Sequence, residues 1–353
     1  MKICYYPEMV EIEEHPFAQF VRILARGKTK SRPFTMAEAE EAMAMVLAGE
    51  VRPEQLGAFL MLLRLKEETA EEIAGFVRAV RSTFALPDPL PAVDLDWSSY
   101  AGKRRQLPWF LLSALLLAKN GIKILMHGTE GHMPGRVYMR DTLEALGLPI
   151  SGSFAEAGAA IGREGFCYLP LEILSQPLRD IINLRPVLGL RSPVHTVSRL
   201  LNPFSAPHIL QGVFHRGFQE THQVASQLLG YRRVAVFRGD GGEIERRPNK
   251  PTEVFTCNEG VLGQDIWPIL IADPVQPEDT QMDVQRLAAV WSGAEEDSYG
   301  AAAVTGTVAI ALKLMGRAAD TDKCDGLARA MWEGRDKARM TLAAEKAISQ
   351  DAL

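Results

Sequence analysis

Residues 93–126 read VDLDWSSYAGKRRQLPWFLLSALLLAKNGIKILM and predict a strand, a helix and a second strand. The strands are expected at 93–95 and 122–126 and the helix at 107–119, with a polar turn at 96–102. Because the second strand is a continuous apolar run, the pattern is typical of a parallel sheet covered on both faces. Such sheets bind ligands at the carboxyl ends of their strands, so residues 96–105 and 127–136 are expected to share one rim.

The chain before this stretch has helical patterning without strands. Two capping boxes, Thr35 with Glu38 and Thr69 with Glu72, begin predicted helices. The segment LPDPLP at 86–91 is a stiff extended linker, and beyond residue 147 helices and strands alternate. We therefore predict an α/β protein with a small all-helical N-terminal domain at 1–88 and a larger α/β domain at 89–353, built on a central, mainly parallel sheet.

The composition is that of an ordinary folded protein. The chain has 353 residues, 47% hydrophobic and 24% charged, which is enough for two domains. Its four cysteines are far apart and form no Cys-x-x-Cys pair, so reduced, mostly buried thiols are expected. The first ten residues lack a signal-peptide pattern and no apolar segment reaches membrane-span length, so we expect a cytoplasmic protein with no membrane contact.

Arginine is concentrated in one part of this acidic chain. The net charge is −5, yet residues 184–238 contain seven arginines and a single acid, Glu220. Arginine suits phosphate because its planar fork makes two charge-assisted hydrogen bonds at once. The cluster predicts a polyanion-binding face, with pairing to acids elsewhere in the fold as the alternative. The arginines are Arg185, Arg191, Arg199, Arg216, Arg232, Arg233 and Arg238.

A basic triplet, Lys103-Arg104-Arg105, precedes the apolar helix and is expected at its start, on the rim. Backbone amides and the helix dipole already favour an anion there, so three cations would repel one another without a bound partner. A solvated turn is the alternative. Trp97 and Tyr100 nearby either stack a base or pack against the core.

Motifs spread over residues 15–345 carry a family resemblance. They are the helical N-terminal unit, the Pro-rich linker, Val93-Asp94-Leu95, His127-Gly128, DTLEALG at 141–147, and the segment from Arg191 through LLNP at 200–203. Together they resemble anthranilate phosphoribosyltransferase, of glycosyltransferase family 3 and the nucleoside phosphorylase type II group. The resemblance implies that fold, a homodimer formed through the helical domain, and phosphoribosyl pyrophosphate bound with Mg²⁺ between the domains.

The departures from that family fall on its chemistry. Its glycine-rich turn, Gly-Thr-Gly-Gly-Asp, holds pyrophosphate on backbone amides and aligns here with Trp-Ser-Ser-Tyr-Ala at 97–101. Its Lys-His-Gly-Asn aligns with MHGT at 126–129, and its Arg-x-x-x-Asn keeps Arg191 but has His195 for the asparagine. His127 is expected to be a structural turn residue, since no acidic partner is evident.

The family's acidic metal pair aligns with Gly242-Glu243, and Glu245 lies two residues on. In an extended segment the two glutamates share a face, so they either hold Mg²⁺ or are neutralised by Arg246 and Arg247.

These losses, with DGGEIERRP at 240–248, resemble a divergent branch of the family, the YbiB-type proteins. The resemblance implies a dimer with a degenerate phosphoribosyl pyrophosphate site that binds single- or double-stranded DNA or RNA with little sequence preference and needs no cofactor. The candidate nucleic-acid ligands are Lys103, Arg104, Arg105, Arg136, Arg185, Arg191, Arg199, Arg232 and Arg233. The candidate remnants of the phosphoribosyl site are His127, Gly128, Thr129, Arg191, His195 and Asn202.

An active glycosyl or phosphoribosyl transferase with an altered acceptor is the rival prediction. It would use Mg²⁺ at Glu243 and Glu245, Arg191 for the substrate, and the cations at 103–105 to stabilise the leaving pyrophosphate. A scaffold that keeps the dimer but neither activity is a third.

Overall fold

A computed structural model describes residues 13–27, 29–131 and 133–340. Its first part is a group of helices, as the sequence predicts. Both capping boxes are formed, with the side chains of Thr35 and Thr69 accepting hydrogen bonds from the backbone three residues on. The helices are α1 (Ala18–Ala25), α2 (Met36–Leu47), α3 (Pro53–Lys66) and α4 (Ala70–Arg81).

The rest of the described chain is built on a seven-stranded sheet. Its strands are β1 (Leu95–Ser99), β2 (Ile124–Gly128), β3 (Phe166–Pro170), β4 (His208–Val213), β5 (Arg233–Arg238), β6 (Thr252–Asn258) and β7 (Val261–Trp267). Their order is β3-β2-β1-β4-β5-β6-β7, with β1 to β5 parallel and β6 and β7 antiparallel at one edge. The carboxyl ends of the parallel strands therefore lie along one rim of the sheet.

Helices cover both faces of this sheet. The most buried is α5, which is enclosed from Trp109 to Ala118, because it packs between the sheet and α14. The helices are α5 (Trp109–Lys119), α6 (Met139–Ala145), α7 (Phe154–Glu164), α8 (Leu171–Leu174), α9 (Gln176–Asn183), α10 (Arg185–Leu188), α11 (Val194–Val197), α12 (Phe218–Leu228), α13 (Gln285–Ser292), α14 (Ser298–Leu314) and α15 (Thr321–Glu333).

Two large apolar clusters lie on opposite faces of the sheet because alternate strand residues point to opposite sides. One contains Ile124 and Met126 with α5 and α14. The other contains Leu125 and joins the sheet to the N-terminal helices. The fold class is therefore confirmed as a helical N-terminal part with an α/β part built on a mainly parallel sheet.

The first strand differs from the sequence-based expectation. Residues 96–99 are expected in a polar turn, but they belong to β1, all of whose residues are buried. The strand is central, paired to β2 on one side and β4 on the other, so its polar side chains must find partners inside the protein. Asp96 does so with His127 on β2.

Two smaller expectations concern membranes and cysteines. In the described part of the chain, no helix combines the length and apolar character needed to cross a bilayer. Cys167, Cys257 and Cys324 are buried free thiols, as expected, and Cys4 lies outside the described residues.

Candidate functional site

The loop after β1 presents two consecutive backbone amides to one acceptor. The N–H groups of Ala101 and Gly102 both donate to Oε1 of Glu243, each at 2.6 Å. Gly102 has a φ of +68°, a left-handed conformation that glycine adopts without strain. Successive amides of this kind form a nest for an anion, and a carboxylate of the chain itself fills it.

Close backbone packing holds Glu243 in this position. The residue is 1% exposed. A Cβ atom at Gly239 would lie 1.6 Å from the carbonyl oxygen of Glu243, and one at Gly212 would lie 2.5 Å from its carbonyl carbon. A side chain at either glycine would push Glu243 out of place. The carboxylate of Glu243 is therefore held in a fixed position at the rim.

Lys103 is enclosed in ion pairs. Its ammonium group lies within hydrogen-bonding distance of the carboxylates of Asp240 and Glu245, and the residue is 1% exposed. Glu245 also accepts a hydrogen bond of 2.9 Å from the N–H of Phe110, in the first turn of α5. A buried ammonium needs such partners, because leaving it unpaired costs on the order of several kcal/mol. Lys103, expected to bind phosphate, and Glu245, expected to bind metal, contact each other instead.

Burial and pairing act in opposite directions on the pKa values of this cluster. Burial lowers the pKa of Lys103, but the charges of Glu245 and Asp240 outweigh it and raise the pKa overall. Burial raises the pKa of Glu245 to about 7 against the opposing effect of Lys103. Burial also acts to raise the pKa of Asp240, but the charge and hydrogen bond of Lys103 outweigh it and lower the pKa overall. Lys103 and Asp240 thus stay charged, and Glu245 can take up a proton near neutral pH.

One of the arginines predicted to neutralise the two glutamates has a different partner. Arg246 is buried and pairs with Asp325 at 3.0 Å. Within the described residues, no three His, Cys, Asp or Glu side chains are grouped so that they could hold a metal ion.

The other two cations of the triplet point away from this cluster. Arg104 and Arg105 are exposed, and Arg105 pairs with Glu278 at 3.1 Å. The triplet therefore divides into one buried structural lysine and two surface arginines, and it precedes α5 by several residues.

Four of the candidate arginines lie close together at the rim: Arg136, Arg185, Arg191 and Arg199. The pKa of Arg191 is lowered to about 10, first by burial and then by Arg199, Arg136 and, more weakly, Arg185. Among the described residues, Arg136, Arg191 and Arg199 form no ion pair with a carboxylate. Arg136 donates to the carbonyl oxygens of Ala101 and Gly102, so this arginine cluster adjoins the amide nest. The charge of Glu243 acts on Arg199 without an ion pair between them, and Glu68 lines the same cleft, so the cluster still has guanidinium groups that can bind an added anion.

His195 lies within the arginine cluster and stays uncharged. Its side chain is 6% exposed, and its Nδ1 lies 3.2 Å from the carbonyl oxygen of Ser192. Burial, followed by the charges of Arg191 and Arg199, lowers its pKa to about 3. A neutral imidazole adds no further repulsion to the cluster.

Replacing His195 with asparagine is expected to make the protein less sensitive to acid. The unfolded chain protonates this histidine below its ordinary pKa of 6.5, whereas the folded chain resists protonation down to about 3. Its contribution is therefore present above pH 6.5 and lost as pH falls, by about 2 kcal/mol at pH 5. Unfolding by urea at pH 7.5 and pH 5 measures the change. The same replacement at exposed His215 controls for the substitution, and an unchanged pH dependence in His195→Asn would contradict the prediction.

The remaining phosphoribosyl-site candidates have internal partners. His127 is buried between Asp96, 3.2 Å from its Nε2, and the hydroxyl of Tyr100, 2.8 Å from its Nδ1. Asn202 exchanges two hydrogen bonds with the backbone of Ala206 and shapes a turn.

Gly128 and Thr129 belong to the same part of the rim. A Cβ atom at Gly128 would lie 2.1 Å from the carbonyl oxygen of Ser99, so only glycine fits there. The hydroxyl of Thr129 accepts a hydrogen bond from Arg179. These contacts give the strand ends a fixed shape.

Arg232 and Arg233 do not join the rim. Because β5 runs parallel to β1 and begins at Arg233, these two residues lie at its amino end, opposite the carboxyl rim. Arg232 is exposed and pairs with Glu259 at 2.9 Å.

Sequence reasoning did not single out Phe214, which follows β4 at the rim. Phe214 is 50% exposed, and its ring lies 4.9 Å from that of His215. Both line one cleft with Arg64, Arg191 and Arg199. A large exposed aromatic ring next to arginines offers a surface on which a base can stack. The available signal was an aromatic residue at the carboxyl end of a predicted strand.

The comparisons with known proteins agree with this fold. Residues 19–84 match the helical bundle domain of a glycosyl transferase family, and residues 110–334 match its a/b domain. The chain is 31% identical over 247 residues to the anthranilate phosphoribosyltransferase of Beijerinckia indica, covering 70% of each chain. It is 28% identical over 302 residues to that of Methylocella silvestris, covering 81% of this chain and 83% of the relative.

Solved structures show the same architecture. Anthranilate phosphoribosyltransferase from Thermus thermophilus superposes with a TM-score of 0.73 at 23% identity, covering 90% of this chain and 94% of that one. The Saccharomyces cerevisiae enzyme in complex with PRPP and Mg superposes with a TM-score of 0.73 at 16% identity, covering 92% and 95%.

Proposed function

The chain belongs to the glycosyltransferase family 3 of the anthranilate phosphoribosyltransferases, and from that premise we propose that it is a member with a degenerate phosphoribosyl pyrophosphate site whose arginine cluster binds nucleic acid. The observation that carries the proposal is the contrast between two neighbouring parts of the rim. The amide nest is filled by Glu243, whereas Arg136, Arg191 and Arg199 form no ion pair among the described residues.

The residues at the nest do not fit a magnesium–pyrophosphate group as they stand. An incoming phosphate would have to replace Glu243 on the two amides. A magnesium ion would need carboxylates, but Asp240 and Glu245 already neutralise Lys103.

The arginine cluster suits a phosphate backbone. Guanidinium groups bind phosphate oxygens through paired charge-assisted hydrogen bonds, and phosphate contacts carry no sequence information. Exposed Phe214 adds a stacking surface that tolerates every base. Binding would neutralise phosphates and release counterions, so affinity should fall steeply with salt. We also propose that the protein acts as a homodimer, which sedimentation equilibrium tests.

Fluorescence anisotropy with labelled oligonucleotides tests the proposal. We expect the protein to bind random and homopolymer single strands with similar affinities, and the logarithm of the association constant to fall with the logarithm of salt concentration with a slope of about −2 or steeper, as three phosphate contacts would give. Duplexes of the same sequences show whether the proposed base stacking on Phe214 favours single strands. No binding at low salt, or affinity that depends on one sequence, would exclude the proposal.

A transferase with an altered acceptor is the second candidate. The family membership favours it. It requires Glu243 to leave the amides and Lys103 to release its acids. Magnesium-dependent release of pyrophosphate from phosphoribosyl pyrophosphate, with anthranilate and other aromatic amines as acceptors, measures it. Release by the wild type and its loss in Glu243→Gln would support this candidate.

A further inference from the structure

A separate cavity of about 270 Å³ lies at the other end of the sheet. It is bounded by the antiparallel edge formed by β5, β6 and β7 and by the last two turns of α14. Arg233, at the amino end of β5, lines it, whereas Arg238 at the carboxyl end of the same strand belongs to the rim. The cavity is therefore distinct from the candidate site.

One face of the sheet supplies the wall of the cavity. Residues two apart on a strand share a face, and the register places Ala235 opposite Thr256 and Val254 opposite Asp265. The helix closes the space from above with Ile310 and Leu314. The apolar part of the lining consists of Ala235, Val254, Cys257, Trp267, Ile310 and Leu314.

The polar groups of the cavity carry one excess positive charge. Asp265 pairs with Lys313 at 2.9 Å. Arg233 is half-buried and forms no ion pair among the described residues. The turn at Gly316 lies against it, where a Cβ atom would be 3.4 Å from Nη1 of Arg233. One guanidinium group is thus left to balance an anion.

Trp267 contributes an unused hydrogen-bond donor. The residue is 1% exposed, and its Nε1–H has no acceptor among the described residues. Such an unmet buried donor costs about 1–3 kcal/mol, which an acceptor atom of a ligand would recover. Lys313 lies over the same ring, with its Nζ 5.8 Å from the ring centroid.

We infer that this cavity binds a small organic monoanion, a carboxylate with an aliphatic or aromatic body. Ligand cavities are mostly apolar with a few placed polar groups and usually measure about 300–1,000 Å³. At about 270 Å³ this cavity lies just below that range and suits only a small molecule. The planar guanidinium of Arg233 matches a carboxylate in a bidentate arrangement. The apolar wall accommodates the body of the molecule. The inference does not depend on the proposed nucleic-acid binding.

Isothermal titration calorimetry with hexanoate and benzoate tests this site, with hexanamide and benzamide as neutral controls of matched shape. We expect saturable binding of an acid and affinity at least about tenfold weaker for its amide, because the charge-assisted hydrogen bonds are lost. Arg233→Met should weaken acid binding by a similar factor. Arg232→Met, at the adjacent exposed residue that pairs with Glu259, is the matched control and should bind like the wild type.

A second variant tests the cavity itself. Leu314→Trp places a larger ring in the space and should abolish acid binding, while a thermal melt checks that the protein remains folded. The inference would be overturned if neither acid bound saturably at millimolar concentration, if acids and amides bound equally, or if Arg233→Met bound like the wild type.

Discussion

Replacing Lys103 with methionine is expected to lower the free energy of unfolding by about 3–5 kcal/mol, because it removes the shared cation of two buried carboxylates. Asp240 and Glu245 would then repel each other in a place with little water. Urea unfolding measures the loss. Arg104→Met is the matched control, since this exposed neighbour should change stability by no more than about 0.5 kcal/mol.

The pH dependence of the stability of Lys103→Met provides a second test of the ion-pair role of Lys103. Without the lysine, burial should raise the pKa of Glu245 beyond the value of about 7 that it has in the wild type. The folded protein would then bind a proton that the unfolded chain releases, so stability is lost as pH rises. The variant should therefore lose more stability at pH 8 than at pH 6. Adding Glu245→Gln should restore part of the loss, and a cost below about 1 kcal/mol would contradict the ion-pair role.

The local features of the fold could be predicted from the sequence because their determinants are close in the chain. The capping residues Thr35 and Thr69 act on residues three positions on, and the apolar run of β2 identifies a central parallel strand. The burial of Asp96 could not be predicted in this way, because its partner His127 is 31 residues away. Without knowledge of that partner, a polar residue such as Asp96 favours the prediction of a turn over that of a central strand.

In the candidate site, too, features set by residues close in the chain could be predicted, whereas contacts between distant residues could not. Lys103 looks like a phosphate ligand because it stands in a basic triplet, and the acids that enclose it are 137 and 142 residues away. The density of arginine predicted Arg185, Arg191 and Arg199, which the structure places close together. It also included Arg232 and Arg233, although a strand that begins at Arg233 in a parallel sheet places both away from the rim.

Replacing Arg191 and Arg199 together with methionine is expected to weaken oligonucleotide binding by about 100-fold or more, since each charge-assisted phosphate contact contributes about 1.5–3 kcal/mol. The salt dependence should become shallower by about 1.4 units, about 0.7 for each of the two phosphates that the variant no longer neutralises on a single strand. Anisotropy titrations at several salt concentrations measure both quantities. Arg232→Met is the matched control, because Arg232 lies at the opposite end of the sheet and already pairs with Glu259.

The stability of the same double variant separates a binding role from a structural one. Arg136, Arg191 and Arg199 repel one another, and this repulsion contributes to the lowered pKa of Arg191. Removing two of these cations should leave the melting temperature unchanged or raise it, while affinity falls. Replacing an arginine that supports the fold would instead lower the melting temperature, as replacing Lys103 is expected to do. Loss of stability with unchanged oligonucleotide affinity and salt dependence would show that the cluster supports the fold and would exclude it as the nucleic-acid site.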